Sequence, residues 1–376
     1  MATTPSFTIG IEEEYLLVHR DSRDLVIEPP EELLERGEAA TEGRMTTEFL
    51  QSQLEVGTRK CASVAEAATE ILELRATLAD VAGEFDYAII AASTHPFAQW
   101  LSQMPTRKER YETLARDHQA VARRLLICGM HVHVGIDDDE LRVDLMNQAT
   151  YFLPHILALS TSSPFWHGNH TGLKSYRLSV FDEMPRTGLP EYFSSWAEYQ
   201  RHVDVLSRAG VIEDGSKLWW DLRPSCRFPT LEMRIADVCT TASHGATLAA
   251  VFQSVLWLLW DLKRTNQRWR HYSNMLVQEN RWRAQRYGTD AGLIDFGLGT
   301  IVPFDDLLEE LIELLAPGAR QLRCLDELLG ARSIVETGTS AHRQLAVYEK
   351  ALAEGADADE ALKLVVDFLI EETVAR

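Results

Sequence analysis

FTIGIEEEYLLV, residues 7–18, alternates apolar and polar side chains, which is the pattern of a half-buried β-strand. Because neighbouring side chains of a strand point to opposite faces of its sheet, Glu12 and Glu14 share one face. Glu13 shares the other face with Tyr15. Two carboxylates side by side repel each other unless a cation lies between them. This face therefore predicts either a cation site or a solvated acidic edge, and the stretch alone leaves both open.

A second strand is predicted at residues 128–136, CGMHVHVGI. Its alternation places His131 and His133 on one face and Met130 and Val132 on the other. Histidine is the commonest metal ligand, but a His-x-His pair also occurs as a hydrogen-bonded structural pair. The strand alone does not separate a metal site from a structural pair.

A third predicted strand, TLEMRIADV at residues 230–238, carries an acid and a fixed cation on the same face. Glu232 and Arg234 lie two positions apart, opposite the apolar face that includes Leu231 and Met233. A cross-strand ion pair would account for the two charges, and so would a site that binds a metal and a phosphate.

The fourth polar strand is predicted at residues 46–57, TTEFLQSQLEVG. Glu55 is in phase with Gln51 and Gln53, whereas Glu48 is seven positions before Glu55 and has the opposite parity. Both glutamates can face one site only if Glu48 precedes the regular strand or if a bulge intervenes. Glu55 is therefore the firmer candidate of the two.

Length and composition describe a folded globular protein of 376 residues, 45% hydrophobic and 25% charged. A net charge of -20 repels polyanions, so nucleic acid is not expected as a partner. One domain over residues 1–376, with a mainly helical last third, is predicted. The N-terminus has no secretory pattern, which indicates a cytoplasmic location. The longest apolar segment, residues 246–260, is expected to be a buried helix, so no membrane partner is expected.

The polar faces of the four strands predict a metal site more convincingly together than singly, because each lies opposite an apolar face. A mainly carboxylate set with imidazole suits Mg²⁺ or Mn²⁺ better than structural zinc. Magnesium held by several carboxylates is typical of a phosphate-bearing substrate. The sequence contains no G-x-x-x-x-G-K-[ST] loop, so a nucleotide would be held in another way.

Other basic and polar residues are candidates for contacts with a nucleotide or another substrate, although a surface salt bridge is the alternative for each charged one. They belong to the stretches KSYR, DLRP and NRWR. The candidates are Lys174, Arg177, Arg223, Asn280 and Arg281.

Seven short motifs in this order resemble the type 2 glutamate-cysteine ligases, also called the carboxylate-amine ligase family. The motifs are IGIEEEY (residues 9–15), TEFLQSQLEVGT (47–58), CGMHVHVGI (128–136), KLWWDLRPS (217–225), TLEMRIADV (230–238), ENRWRAQRYG (279–288) and GTSAHRQL (338–345). They extend over nearly the whole chain.

The resemblance implies an α+β fold in which a saddle-like, mainly antiparallel sheet carries helices on its convex face, similar to the catalytic domain of glutamine synthetase. It also implies ATP and Mg²⁺ or Mn²⁺ on the concave face. The residues at the family's metal-binding positions are Glu12, Glu14, Glu55, His131 and Glu232, with Glu48 at a further acidic position. Arg234 resembles the arginine that contacts the transferred phosphate, and His133 is expected to contact nucleotide or substrate.

The resemblance further implies an ATP-dependent ligase that joins a glutamate-like carboxylate to an amine through an acyl phosphate, with both partners small molecules. The acceptor amine is left open, as is the oligomeric state, a homo-oligomer being one option. Two alternatives remain. One is a metal-dependent hydrolase that uses His131 and His133, and the other is a non-catalytic nucleotide-binding protein of the same fold.

Overall fold

The structure, a computed structural model, describes residues 4–375 apart from the side chain of Arg110. Residues 1–3 and residue 376 of the predicted domain lie outside the described residues. The strands are β1 (Ile9–His19), β2 (Met45–Thr47), β3 (Gln53–Gly57), β4 (Tyr87–Ile90), β5 (Met130–Gly135), β6 (Phe165–Trp166), β7 (Asn169–His170), β8 (Thr187–Gly188), β9 (Trp219–Trp220), β10 (Leu222–Pro224), β11 (Thr230–Met233), β12 (Leu293–Asp295) and β13 (Thr300–Val302).

The helices alternate with these strands and dominate the last third of the chain. The α-helices are α1 (Glu31–Ala40), α2 (Val64–Gly83), α3 (Glu109–Arg123), α4 (Asp139–Ala149), α5 (Leu153–Ser160), α6 (Arg177–Phe181), α7 (Trp196–Arg208), α8 (Ala242–Arg264), α9 (Asn274–Tyr287), α10 (Phe304–Leu322), α11 (Leu325–Thr337), α12 (Ser340–Ala353) and α13 (Ala358–Thr373). Short 3₁₀ turns lie at Trp100–Ser102, Thr150–Phe152 and Gly215–Lys217.

Seven strands form the central sheet, and each of their pairings is antiparallel. The order is β10-β11-β5-β1-β3-β2, and β4 pairs with the second half of β1. The predicted α+β class with a mainly antiparallel sheet is confirmed. Since β1 pairs with both β3 and β5, the strand that carries Glu12 and Glu14 lies between the strands that carry Glu55 and His131.

Side-chain burial along β1 alternates as its sequence predicts. Ile9, Ile11 and Glu13 are buried, whereas Glu12 and Glu14 are half-buried. The two faces of the sheet therefore differ in chemistry from the first strand onward, with carboxylates on one face and the hydrophobic core on the other.

Helices α2 and α8 cover the core face of the sheet, and Glu13 points toward them. Its carboxylate accepts hydrogen bonds from Nε and Nη2 of Arg75 in α2, at 2.9 Å each, and from the hydroxyl of Tyr15 at 2.6 Å. Gly245 brings α8 close, because a Cβ atom there would lie 3.2 Å from Oε1 of Glu13. Glu13 is thus a structural residue, unlike the glutamates on either side of it.

The predicted strand at residues 46–57 is two strands. β2 and β3 pair with each other, and a turn over residues 48–52 connects them. Glu48 lies in that turn, where its carboxylate accepts a hydrogen bond from the backbone N–H of Phe49 at 2.8 Å. Because Glu48 is outside the regular strand, the parity that separated it from Glu55 does not apply.

The apolar segment predicted as a buried helix lies within α8, which has 23 residues. By length and composition this helix could cross a membrane, but 78% of its most apolar 18 residues are buried inside the protein. It packs against α2, α10, α11 and β5. The prediction of a buried core helix is therefore confirmed.

Candidate active site

A cavity of about 480 Å³ opens on the face of the sheet opposite α2 and α8. The polar faces of all four predicted strands line it, as does the turn between β2 and β3. The sheet residues that line it include Glu12, Glu14, Gln53, Glu55, His131, His133 and Glu232, and Arg234 lines it from the position directly after β11, which ends at Met233. The side-chain faces predicted from alternation are thus brought together on one surface.

Three possible metal ligands from three adjacent strands form a group that we call the histidine cluster: Glu12, His131 and Glu232. Each offers one ligand atom, and these atoms all lie within 4.8 Å of one another. Nδ1 of His131 lies 3.2 Å from a carboxylate oxygen of Glu12. His133 lies beside the cluster, with Nε2 3.5 Å from Glu12 and Nδ1 hydrogen-bonded to the hydroxyl of Thr230 at 2.9 Å.

The protonation states of the histidine cluster suit a cation. Burial alone would raise the pKa values of Glu12 and Glu232, but their neighbours outweigh it and lower both well below the usual range. Those neighbours are His131 and His133 for Glu12, and chiefly Arg234 for Glu232. Burial and the charge of Arg234 lower the pKa of His131 to about 4. At neutral pH the cluster therefore has two carboxylates and a neutral imidazole, the form in which histidine binds metals.

A second group, the carboxylate cluster, consists of Glu14, Glu48 and Glu55. One oxygen of each lies within 4.8 Å of the others. Burial and repulsion from Glu48 raise the pKa of Glu14 to about 7, and burial and the same neighbour raise that of Glu55 well above its usual value. Such mutual repulsion is what a bound cation relieves.

Arg234 and Arg223 both pair with Glu232. Nη1 of Arg234 donates to Oε1 of Glu232 and lies 3.4 Å from Nδ1 of His131. Nε of Arg234 is buried without a hydrogen-bond partner among the described residues. Arg223 donates from Nε and Nη2 to Glu232 at 3.0 and 3.1 Å. A guanidinium with an unused donor therefore lies at the histidine cluster.

Arg177 also lines the cavity, from the start of α6. Its guanidinium donates to the backbone carbonyls of Ile235 at 3.3 Å and Arg234 at 3.2 Å. Gly129 makes room for it, because a Cβ atom at that position would collide with the guanidinium. The two arginines are thus held next to each other through the backbone of the segment that directly follows β11.

Lys174 and Asn280, predicted to contact nucleotide or substrate, do not line the cavity. Lys174 forms a salt bridge with Asp290 at 3.2 Å. The side chain of Asn280 donates to the backbone carbonyl of Ile294 at 2.9 Å and accepts from its N–H at 2.7 Å. Both contacts hold α9 and its surroundings in place, outside the cavity lining.

Arg281, also predicted to contact nucleotide or substrate, does not line the cavity either. It is buried away from the cavity, and its guanidinium forms salt bridges with Asp182 and Asp221 at 2.7 Å. Four of the five N–H donors of this buried arginine are taken by the two carboxylates, and its charge is paired with them. The basic motif around Arg281 therefore anchors α9 to the segment that leads into β10.

Several lining residues were not predicted from the sequence, because turns and short helices supply them and no strand period marks them. The unpredicted apolar residues include Phe49, Tyr111, Leu114, Leu125, Ile127, Phe181, Met184 and Trp219. The unpredicted basic residues are Lys108, Lys217 and Arg227.

Comparisons with known proteins agree over the length of the chain. The model of glutamate-cysteine ligase family 2 matches residues 8–367. A Rhodospirillum rubrum protein provisionally named glutamate–cysteine ligase 2 is 60% identical over 375 residues, which cover 99% of this chain and 96% of that protein.

Two solved structures share the fold at low sequence identity. The structure of a Francisella tularensis glutamate–cysteine ligase in complex with AMP aligns with a TM-score of 0.68 and 14% identity, covering 98% of this chain and 89% of that one. The structure of a bifunctional glutathione synthetase from Pasteurella multocida aligns with a TM-score of 0.67 and 14% identity, covering 97% of this chain and 52% of that one.

Proposed function

Because the chain belongs to glutamate-cysteine ligase family 2, as its motifs predicted, we propose that it is an ATP-dependent ligase that joins a glutamate-like carboxylate to an amine. The observation that carries the proposal is the pair of donor clusters on one face of the sheet, with the unused donor of Arg234 beside them. An enzyme that handles a triphosphate needs this combination of cation sites and a fixed positive charge.

The donor sets fit Mg²⁺ or Mn²⁺. The histidine cluster supplies two carboxylates and one imidazole, and the carboxylate cluster supplies three carboxylates. Both ions prefer oxygen ligands, with imidazole acceptable to Mn²⁺. When bound, the ions would neutralise phosphate charge during phosphoryl transfer. The six ligands would be those of the histidine and carboxylate clusters, and His133 would hold Glu12 in place.

The chemistry needs activation of the carboxylate, because joining it to an amine in water is uphill. A carboxylate oxygen of the donor attacks the γ-phosphorus of ATP, which gives an acyl phosphate and ADP. The amine then attacks the acyl carbon and releases phosphate. Arg234 stabilises the charge on the transferring group, since a guanidinium offers donors in the geometry of phosphate oxygens. No nucleophilic serine or cysteine is required.

The hydrolase alternative gains no support from the site. Of the described residues that line the cavity, His131 and His133 are the only histidines, whereas a zinc hydrolase of this kind would need more imidazole ligands. A purely binding role is also weakly supported, because a module that only binds nucleotide has little use for six metal-binding side chains.

With a glutamate-like donor and a suitable amine, we expect ATP to be converted to ADP and phosphate in step with amide formation. The reason is that Arg234 and the clusters are suited to transfer of the terminal phosphoryl group. Product analysis by chromatography measures this result. AMP as the stoichiometric product would replace the acyl phosphate with an adenylate, and nucleotide binding without turnover would leave only the binding role.

We expect each chain to bind two Mn²⁺ ions, one at each cluster, and activity to be lost in excess chelator and restored by Mg²⁺ or Mn²⁺. Glu12→Gln and Glu55→Gln should each weaken one of the two sites by at least about 10-fold. Equilibrium dialysis and Mn²⁺ electron paramagnetic resonance measure the stoichiometry. Full activity in chelator, or restoration by Zn²⁺ alone, would contradict the assignment.

Glu55→Gln has a built-in control for folding. Burial and repulsion from neighbouring carboxylates raise the pKa of Glu55, so Glu55→Gln should leave the melting temperature in chelator equal to or above that of the wild type. Glu309→Gln, which alters an exposed salt bridge with Arg332 far from the sheet, should keep both Mn²⁺ sites. If Glu55→Gln lost metal only because it unfolds, its melting temperature in chelator would be lower than that of the wild type.

A further inference from the structure

Arg223 and Glu232 form a cross-strand pair at one edge of the central sheet. They lie directly opposite each other on β10 and β11, and β10 is the last strand of the sheet on that side. Both side chains line the cavity, although only 13% of Arg223 and 4% of Glu232 are exposed. On the other side of β11, His133 lies opposite Glu232. This glutamate of the histidine cluster therefore has fixed neighbours on both adjoining strands.

The guanidinium of Arg223 is used almost entirely by groups of the protein itself. Its Nε and Nη2 donate to Glu232 at 3.0 and 3.1 Å, and its Nη1 donates to the backbone carbonyls of Ser216 at 2.8 Å and Leu218 at 2.9 Å. Four of its five N–H donors thus have partners. Arg234 differs, because its Nε has no hydrogen-bond partner among the described residues. Arg223 is therefore better suited to holding Glu232 than to the nucleotide or substrate contact that the sequence predicted.

The two carbonyl contacts fix the orientation of this guanidinium. Ser216 belongs to the 3₁₀ turn Gly215–Lys217, and Leu218 joins that turn to β9. The turn is closed by a hydrogen bond from the N–H of Leu218 to the carbonyl of Gly215 at 3.1 Å. Because the guanidinium is planar, holding Nη1 on this turn also holds Nε and Nη2 against Glu232. The pair is thus set by the backbone on both sides and not by two mobile side chains.

These hydrogen bonds leave Glu232 one acceptor position. A carboxylate has about four acceptor positions, divided between its two oxygens. Oε1 accepts from Nη2 of Arg223 and from Nη1 of Arg234, which fills it. Among the described residues, Nε of Arg223 is the only donor to Oε2. A metal ion can therefore bind Glu232 through one oxygen while both arginines stay in place.

The number of oxygens that a carboxylate offers affects which ion it prefers. Ca²⁺ binds in flexible geometry and readily takes both oxygens of one carboxylate. Mg²⁺ demands near-ideal octahedral geometry, and Mn²⁺ is also typically octahedral, so each of these ions suits ligands that occupy one position. A glutamate limited to one oxygen therefore disfavours Ca²⁺ relative to Mg²⁺ and Mn²⁺.

On the premise of the proposed function, which places an ion at the histidine cluster, we propose that Arg223 is a positioning residue that restricts Glu232 to one ligand oxygen. In this way it determines the selectivity of the cluster for Mg²⁺ and Mn²⁺ over Ca²⁺. Its pair of parallel donors is what matters, because a positive charge alone acts on all divalent ions alike. Lysine would keep the charge and lose the pair of donors.

The test is competition between Mn²⁺ and Ca²⁺, measured without ATP or turnover. Glu55→Gln serves as the background, because it weakens the carboxylate cluster and leaves the ion at the histidine cluster to be followed. Electron paramagnetic resonance of the released Mn²⁺ gives the ratio of the Kd for Ca²⁺ to the Kd for Mn²⁺. We expect this ratio to fall by about 10-fold or more in Arg223→Met and also in Arg223→Lys.

Arg343→Met is the matched control. Arg343 likewise donates to both oxygens of a partly buried glutamate, Glu372, at 2.8 Å each, but it does not line the cavity. Its ratio should equal that of the background. An unchanged ratio in both Arg223 variants would overturn the inference, and a higher KM for ATP beside that unchanged ratio would assign Arg223 to the nucleotide. A wild-type ratio in Arg223→Lys alone would show that charge suffices, which also contradicts the inference.

Melting temperatures in chelator separate selectivity from folding. If Arg223→Met is unfolded, Arg223→Lys decides, and failure of both to fold would make Arg223 a structural residue and overturn its role in selectivity. If the background chain with Arg223 intact binds no Mn²⁺, the metal assignment of the proposed function fails and the inference fails with it. If the ratio shifts as expected but no carboxylate and amine together release ADP, the ligase function fails and the inference stands.

Discussion

Arg234→Ala is expected to lower kcat by about 100-fold or more, which corresponds to about 3 kcal/mol of transition-state stabilisation, while nucleotide affinity changes much less. Arg234 lines the cavity at the histidine cluster and its Nε has no hydrogen-bond partner among the described residues, so its guanidinium can donate to a transferring phosphoryl group. An interaction made only during transfer affects the rate and not the binding of substrate. Arg234→Lys should rescue poorly, because lysine supplies a point charge without the planar set of donors.

The competing account is that Arg234 only compensates the charge of Glu232. In Arg234→Ala that carboxylate keeps Arg223, which donates two hydrogen bonds to it, so we expect the melting temperature to change little. The backbone contacts of residue 234 with Asp221 and Arg177 also persist. Thermal unfolding measured beside single-turnover kinetics separates the accounts. A large fall in melting temperature with normal turnover of the folded fraction would remove Arg234 from the mechanism.

Arg75→Met is expected to lower the free energy of unfolding by about 3–5 kcal/mol, the usual result of leaving a buried carboxylate without its cation. Arg75 and Glu13 are each at most 1% exposed. The guanidinium donates to Glu13 and also to the backbone carbonyls of Cys239, Thr240 and Thr373. One side chain therefore joins α2, β1, the segment before α8 and the end of α13.

Urea unfolding measures the effect of Arg75→Met. The double variant Glu13→Leu with Arg75→Met removes both charges and should recover a large part of the loss, since the cost lies in the unpaired charge. Arg36→Met is the matched control, because it breaks an exposed salt bridge with Glu84 and should cost less than about 1 kcal/mol. Equal losses for Arg75→Met and Arg36→Met would mean that Glu13 is well solvated or protonated after the change.

The sequence predicted the faces of the strands well, because alternation is a local property of the chain. It placed Glu12 and Glu14 opposite Glu13, and it paired His131 with His133. The connection between β2 and β3 was predicted less well. Glu48 reaches the site from a turn whose position depends on pairing between strands, which no local period encodes.

Side chains outside the sheet were harder to assign, because their partners are distant in sequence. From the sequence, Arg281 was a candidate for contact with nucleotide or substrate. In the folded chain it donates hydrogen bonds to Asp221, which is 60 residues away in sequence. The sequence left the role of Arg177 equally open, and its side chain lines the cavity. The apolar lining residues of the cavity were not predicted, since they come from separate turns and helices and each of these segments resembles ordinary core or surface on its own.

The alternation of Glu12, Glu13 and Glu14 also bears on how the sheet finds its correct pairing as it forms. A slip of β1 by one residue against β3 and β5 would turn Glu12 and Glu14 into the core and turn Glu13 away from Arg75. Two unpaired carboxylates would then be buried, each at a cost of several kcal/mol or a forced protonation. Of these two registers, only the native one pairs the Arg75 guanidinium with Glu13 and leaves the carboxylates of Glu12 and Glu14 in the cavity. The buried ion pair between Glu13 and Arg75 therefore favours the native register of β1. A chain that lacks this ion pair should pair β1 in the wrong register more often during refolding.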